Sequence, residues 1–351
     1  MRVLVGMSGG VDSSVAAALL QRAGHEVVGV TMRLWGGESD TGCCSVSDVD
    51  DARRVAQQLG IDHVVFNFSE EFTARVVEPY VEAHRVGITP NPCIECNRHL
   101  KFDRLHERAR LLGFDALATG HHARVGRRAD GRFTLERGAD RAKDQSYVLH
   151  MVGQAELAEL LLPVGEHPKS EVRRIATELG LRTADKPDSQ DVCFITSTGG
   201  REQFLGRRIP LRPAPVVDTA GTTIGAVPAV ELVTLGQRRG LGLPGGGPVR
   251  YVVGIDAGPD PMVVVGEADD LLVDAVVVHD VTWVDGPVVG EVLVQVSAHG
   301  DPVAGRLETD GSGSVRVVWG LRRARVAPGQ SVVFYDLADR CVLGGGIAQA
   351  G

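Results

Sequence analysis

Apolar and polar positions follow two different rhythms along the chain. Over roughly the first 65 residues, short β-branched runs alternate with stretches of helical periodicity. Arg2 to Gly6 is a short apolar strand, Ser8-Gly9-Gly10 a turn, and Asp12 to Ala23 a helix. Glu26 to Met32 is a second strand, Asp48 to Leu59 a helix ending at Gly60, and His63 to Phe68 a third strand. Strands separated by helices imply a parallel sheet with right-handed crossovers. Leu100 to Leu112 reads as a further helix with Gly113 as its cap. Asp115 to Thr119 is then a strand, with Gly120-His121-His122 just beyond its C-terminal end, the edge at which open α/β sheets bind ligands.

The rhythm changes after about residue 200, where Pro210, Pro213 and Pro215 break the chain. Helical periodicity nearly vanishes. Short runs take over at Val216-Val217, Val252 to Ile255, Met262 to Val265, Val276 to Val278, Val292 to Val296, Val315 to Val318 and Ser331 to Tyr335. Gly and Pro turns separate many of them, a pattern of small β-barrels or a β-sandwich. Gly344-Gly345-Gly346 reads as a bend before a closing strand. The expected fold is α/β: a doubly wound parallel-sheet domain over 1–205, a small central β-rich domain over 206–270, and a C-terminal β-barrel domain over 271–351.

Length supports two or three domains for the 351 residues, with ordinary apolar content. No run approaches the roughly 20 apolar residues that span a bilayer, and Met1 to Met7 reads as a buried strand rather than a leader, so a cytoplasmic protein is expected. The net charge of -8 is the wrong sign for a general polyanion binder, so any nucleic-acid contact must be a local basic face. Arg124, Arg127, Arg128, Arg132, Arg137, Arg141 and Lys143 offer one such stretch; on charge alone it reads as a solvated hairpin.

Candidate chemistry begins at Gly6-Met7-Ser8-Gly9-Gly10-Val11-Asp12-Ser13-Ser14, between the first strand and first helix. Gly9 and Gly10 let the backbone approach a phosphate, the helix N-terminus favours an anion, and Ser8, Ser13 and Ser14 can donate hydroxyls. The lysine of a Walker loop is missing, and the pattern is not GxGxxG. Ser-Gly-Gly-Val-Asp-Ser-Ser resembles the PP-loop of ATP pyrophosphatases, adenylating enzymes that split ATP into AMP and pyrophosphate. That resemblance implies how ATP is used, not on which substrate.

The six cysteines are Cys43, Cys44, Cys93, Cys96, Cys193 and Cys341. In a cytoplasmic chain they read as thiols, catalytic groups or metal ligands rather than structural disulfides. Cys93 and Cys96, in Thr89-Pro90-Asn91-Pro92-Cys93-Ile94-Glu95-Cys96-Asn97, precede the helix; Cys193 lies in Asp188-Ser189-Gln190-Asp191-Val192-Cys193-Phe194. A helix N-terminus lowers a thiol pKa from roughly 8.5 into the range of about 3.5–7.5, which suits sulfur transfer. CxxC spacing alone could also hold zinc, or with Cys193 an iron–sulfur cluster, though a structural zinc site usually needs a second pair. Cys341 reads as inert.

Taken in order, SGGVDSS at 8–14, Met32, CCS at 43–45, TPNPCIECN at 89–97, ATGHHAR at 118–124, KDQSYVL at 143–149, SQDVCFI at 189–195, LGQRRGLGLP at 235–244, PGQSVVFYD at 328–336 and LGGGIA at 343–348 are similar to the tRNA-specific 2-thiouridylases. The resemblance implies thiolation of the wobble uridine in tRNAs for Lys, Glu and Gln. It implies ATP binding by Gly6, Met7, Ser8, Gly9, Gly10, Val11, Asp12, Ser13, Met32 and Gly120, with Mg²⁺. Cys96 matches the nucleophile and Cys193 the cysteine that receives persulfide sulfur, with a disulfide between them as a possible intermediate. Asn91, Pro92 and Cys93 match the segment facing the target base; His121, Lys143, Asp144, Gln145 and Gln330 match positions touching tRNA. Asp12 is expected to order the loop or hold metal. A persulfide donor, either a relay protein or a cysteine desulfurase, is the second expected partner, and a monomer suffices. The chain departs from the family at Gln295-Val296-Ser297-Ala298-His299, where basic and aromatic residues are common, and at 226–232, which lacks a frequent histidine. The competing expectations are an iron–sulfur tRNA thiolase, a PP-loop amide-forming synthetase and a sulfur-carrier or metal-binding module.

Overall fold

The computed structural model describes residues 1–35, 46–188, 192–195, 199–245, 247–309, 311 and 313–349, with Val46 described by its backbone alone. Cys43, Cys44, Ser189, Gln190 and Asp191 therefore lie outside the described residues.

The first domain is built on a five-stranded parallel sheet, β1 (Arg2–Gly6), β2 (Glu26–Arg33), β3 (Asp62–Asn67), β4 (Ala116–Ala118) and, after a hairpin described below, β7 (Leu160–Leu161), in the order β3-β2-β1-β4-β7. Val3, Leu4 and Val5 are fully buried because β1 is covered on both faces. The pleat sends Leu4 into one core, and Val3 and Val5 into another shared with helices α1 (Val11–Arg22) and α2 (Val46–Leu59). Helix Lys169–Glu178, absent from the sequence reading, completes this second core through Val172, Ile175 and Ala176.

The chain crosses from one side of β1 to the other after β2 and β3, so β4 pairs with the opposite edge of β1. The loops after β1 and β4 therefore meet at the switch point, the crevice where α/β sheets bind ligands.

The arginine-rich stretch forms the hairpin β5 (Ala123–Arg127) and β6 (Phe133–Arg137), and β6 joins the C-terminal sheet by pairing with its last strand. The central unit is a four-stranded sheet of β8 (Ala214–Val217), β9 (Thr223–Val227), β10 (Tyr251–Asp256) and β11 (Met262–Gly266), with a valine-rich core of its own.

The C-terminal unit contains β12 (Leu272–Trp283), β13 (Gly290–Gln295), β14 (Val303–Thr309), β15 (Val315–Ala324), β16 (Ser331–Tyr335) and β17 (Cys341–Ala348). They run in the order β12-β15-β14-β13-β16-β17, and pairing of β12 with β17 closes a six-stranded barrel. The three glycines read as a bend lie inside β17 instead. A Cβ on Gly344 would stand 2.5 Å from the Thr282 carbonyl oxygen, and one on Gly346 2.4 Å from that of His279. Close strand approach at the barrel seam, not a turn, requires them. Among the described residues no helix is long and apolar enough to cross a membrane.

Candidate active site

The loop after β1 is shaped by contacts that only glycine permits. Gly9 has φ +72°, and a Cβ there would lie 2.3 Å from the Asp48 carbonyl oxygen. Gly120, arriving from β4, packs so closely on α1 that a Cβ would lie 2.5 Å from the Ser13 backbone nitrogen. Gly10 precedes α1 in extended conformation, leaving the first turn's N–H groups without a side-chain cap. The serines are partly committed to the loop. The Ser13 hydroxyl accepts from the Ser8 N–H at 3.1 Å and donates to the Gly10 carbonyl at 3.2 Å, and Ser14 donates to the same carbonyl at 2.8 Å. Met7 is buried, with its N–H on Val30 and its carbonyl accepting from the Thr31 hydroxyl; Met32, near the end of β2, is half-buried.

Asp12 is an ion-pair centre. Its carboxylate receives Lys169 Nζ at 2.7 Å on both oxygens and lies 2.9 Å from His122 Nε2. Burial opposes its ionisation, but the hydrogen bonds from His122 and Lys169 outweigh that and hold its pKa below the ordinary carboxylate value. Lys169 also reaches Asp188 at 2.9 Å, and Asp188 further receives Lys143 and Arg173, each at 2.8 Å. Asp188 is partly buried, yet the hydrogen bonds from Lys143 and Lys169 hold its carboxyl far below the usual range. Lys186 flanks the other side of the loop, donating to the Gly9 carbonyl at 3.0 Å and pairing with Asp48 and Asp51. The loop that lacks a lysine of its own is thus bordered by two lysines from later in the chain. Sequence reading missed both, because neither falls in a motif and Lys169 opens an unforeseen helix.

Cys93 and Cys96 lie on the helical turn Pro92–Cys96, capped by the Asn91 side chain, which accepts from the Cys93 N–H at 3.1 Å. Pro92 is buried in the first turn, where its missing N–H costs nothing. The two thiols face different environments: Cys93 is exposed, while Cys96 is buried in the core that contains Leu34, Ile94 and Phe194. Cys193 packs against that same core. Phe194 fixes its position, with ring centroids 5.0 Å from Phe204, 5.5 Å from Tyr80 and 5.7 Å from Phe72. No disulfide is formed among the described residues, so the implied Cys96–Cys193 bond is absent from this state. Among them, too, no three His, Cys, Asp or Glu side chains cluster as a metal site; Cys93 is exposed while Cys96 is buried, and Asp12 is already taken by Lys169 and His122. Among the described residues no ligand set for an iron–sulfur cluster is assembled.

Several residues expected to touch tRNA are buried or paired within the protein. His121 is buried, its Nδ1 2.7 Å from the Thr119 hydroxyl, and burial, with Lys101 and His122 nearby, pushes its pKa well down. The Asp144 side chain is only 5% exposed. It binds Arg137 Nη1 at 2.8 Å, the Gly138 N–H at 2.8 Å and the Ser146 hydroxyl at 2.8 Å. The Asp144 oxygens are thus engaged inside the protein. Arg137, counted above among the hairpin's basic residues, is itself buried: it stacks 3.6 Å over Tyr335 and binds Asp144, Asp339 and Gln295. Gln295, where the resemblance led basic residues to be expected, faces inward to Arg137 rather than outward. Gln145 is exposed and accepts from the His122 N–H at 2.9 Å; Lys143 is half-buried on Asp188. Gln330 donates to the Thr89 carbonyl, joining the barrel to the loop before Asn91.

A family described as the tRNA methyl transferase HUP domain matches residues 1–197. A tRNA methyl transferase PRC-barrel domain matches 202–267, and an aminomethyltransferase β-barrel domain matches 273–348. The tRNA-specific 2-thiouridylase MnmA of Chloroflexus aggregans is 48% identical over 353 residues, covering 98% of this chain and 97% of that one. The chain belongs to the tRNA-specific 2-thiouridylases. Within that family, the MnmA proteins of Carboxydothermus hydrogenoformans, 44% identical over 98% of this chain and 96% of that one, and of a Roseiflexus species, 42% identical over 98% of both, are comparably similar. The loop Gly6–Ser14, the Pro92–Cys96 turn and the Val192–Ile195 segment are the parts of this thiouridylase-family chain with chemistry to offer.

Proposed function

We propose that the protein is an ATP-dependent tRNA sulfurtransferase that converts the wobble uridine of tRNAs for Lys, Glu and Gln to 2-thiouridine. The observation that carries this reading is that Cys96 and Cys193 share one core on the sheet whose switch point carries the glycine loop. Family membership over nearly the full chain supports the tRNA substrate.

Gly6 to Ser13, with Met32 and Gly120, bind ATP; the α1 N-terminus and backbone N–H groups face the phosphates. Uridine O2 attacks the α-phosphate, forming an O2-adenylate and releasing pyrophosphate. This turns a poor leaving group into AMP. Mg²⁺ supplied with the nucleotide would neutralise the departing phosphates. A donor protein loads sulfur on Cys193 as a persulfide. The terminal sulfur then attacks C2 and AMP departs. Attack of the Cys96 thiolate on Cys193 Sγ releases the sulfur to the base and leaves a Cys96–Cys193 disulfide, which an external thiol reduces. In the alternative order Cys96 attacks first and hydrosulfide is the nucleophile. The base must leave its stack, and Asn91, Pro92 and Cys93 line its approach. Exposed Gln145 with half-buried Lys143 and Gln330 are the tRNA contacts of this reading; His121 and Asp144 support the loops that carry them.

Labelled ATP incubated with unmodified tRNA, donor and protein should yield AMP in proportion to thiolated base. An orthophosphate product instead of AMP would overturn the adenylation step.

A further inference from the structure

We propose that Arg238 and Arg239, at the tip of loop 234–241 in the central unit, bind the phosphodiester backbone of the RNA beside the segment that faces the target base. This rests on the reading of tRNA as the substrate and of Asn91 to Cys93 as that segment. The loop is held from several sides. Val233 and Leu241 are buried in the valine-rich core of the central unit, one before the tip and one after it. Gly236 and Gly240 take φ of +80° and +69°, so the chain reverses on either side of the arginines. The Gln237 side chain accepts from the Thr234 N–H at 3.0 Å and donates to the Arg239 carbonyl at 2.8 Å. Two backbone bonds tie the loop to β10, from the Gly236 N–H to the Val252 carbonyl at 2.8 Å and from the Val252 N–H to the Gln237 carbonyl at 2.9 Å. Both arginines are exposed, and among the described residues neither guanidinium has a carboxylate or hydrogen-bond partner. A fixed backbone thus presents two adjacent, uncompensated cations.

The loop stands where the three units meet. Thr89, two residues before Asn91, donates its hydroxyl to that of Thr234 at 3.3 Å. Its N–H donates to the Pro328 carbonyl at 3.1 Å, and its own carbonyl accepts from Gln330. The arginines therefore flank the same junction as the base-facing segment. A base drawn out of its stack brings its flanking phosphates to the rim of the opening it enters. Planar guanidinium groups match phosphate oxygens, and such contacts fix the register of the RNA without reading its sequence. On the hairpin, by contrast, Arg128 and Arg132 are paired with Asp285 and Arg141 with Asp339. In a chain of net charge -8, the unpaired arginines beside Thr89 are better placed to attract RNA than the hairpin's paired ones.

Binding of unmodified tRNA, followed by fluorescence anisotropy between about 50 and 200 mM salt, tests this on the full chain. The Arg238→Ala/Arg239→Ala variant should bind about tenfold or more weakly at low salt, and equally so for every tRNA tried. Its plot of log affinity against log salt should be shallower by about one for each arginine lost. Arg238→Lys/Arg239→Lys keeps the charge and should keep the slope. Binding of a non-hydrolysable ATP analogue should be unchanged in both variants, which shows that the fold is intact. In the thiolation assay the alanine variant should raise the KM for tRNA and leave kcat near the wild-type value. Wild-type affinity and slope in the alanine variant overturn the proposal. So does a variant that binds tRNA normally but needs more sulfur-donor protein, which would give the loop to that partner instead. Thiolation by the wild type with no change in tRNA binding by the variant overturns only the arginine site. Weakened tRNA binding by the variant, with no thiolation by the wild type, sustains the site and overturns the proposed reaction.

Discussion

Asp12 meets two side chains from distant parts of the chain, His122 from the β4 loop and Lys169 from a later helix. The sequence places Asp12 correctly at the start of α1, but its partners lie far along the chain and carry no motif. The sequence leaves a loop-ordering carboxylate and a metal ligand open and does not foresee an ion-pair hub. The glycines are more legible, because SGG after a strand demands close backbone approach, yet the clash of Gly120 with Ser13 appears only when β4 pairs with β1. Gly120→Ala should therefore weaken ATP binding on the order of tenfold or more, measured by calorimetry, since backbone on both sides must shift. Cys193→Ser and Cys96→Ser should each abolish thiolation in the nucleoside assay while nucleotide binding persists. Normal thiolation by either variant contradicts its assigned role. Buried histidines set a pH dependence of stability. Burial lowers His84 to about 4 and His150 to about 3, and lowers His121 as well. Their unfolded values lie near the ordinary 6.5 or so. As pH falls below that value the unfolded chain takes up protons that the folded chain refuses, so stability drops between about pH 6.5 and 4. Urea midpoints across that range should fall; a flat profile would contradict these buried neutral states.

At the scale of elements, periodicity gave most of the first domain because its strands and helices are continuous in sequence and strongly patterned. It failed where long-range pairing decides the outcome. The β5–β6 hairpin reads as solvated arginines, yet β6 adds to β17 and carries Arg137 into a buried site over Tyr335. Nothing local to Arg137 distinguishes it from Arg127, which is exposed. Removing it would leave Asp144 buried with its main cation gone. Arg137→Ala should cost about 3–5 kcal/mol in urea unfolding, as for other broken buried pairs. A loss below about 1 kcal/mol would mean the pair is solvated. The glycines of β17 teach the same lesson: a Gly-Gly-Gly run suggests a turn, but a Cβ on Gly345 would stand 2.8 Å from His150 Nδ1. Their reason is a barrel seam closed between β12 and β17, which local sequence does not encode.

For the whole molecule, an acidic chain that is to bind RNA must do so through a restricted surface. Much of the hairpin's positive charge is already neutralised, with Arg128 and Arg132 both on Asp285 and Arg141 on Asp339. Only a few phosphate contacts are then available. Affinity for tRNA should fall about ten- to a hundredfold between about 50 and 200 mM salt, less than for a strongly basic binder. Filter binding across that range checks it. The most direct test of the whole account is 2-thiouridine formation, read by nucleoside mass spectrometry. Purified protein, unmodified tRNA, ATP, Mg²⁺, cysteine and a desulfurase are combined. The account predicts 2-thiouridine that requires ATP and disappears in Cys193→Ser. Thiouridine formed without ATP, or no nucleotide turnover with any tRNA, would contradict it.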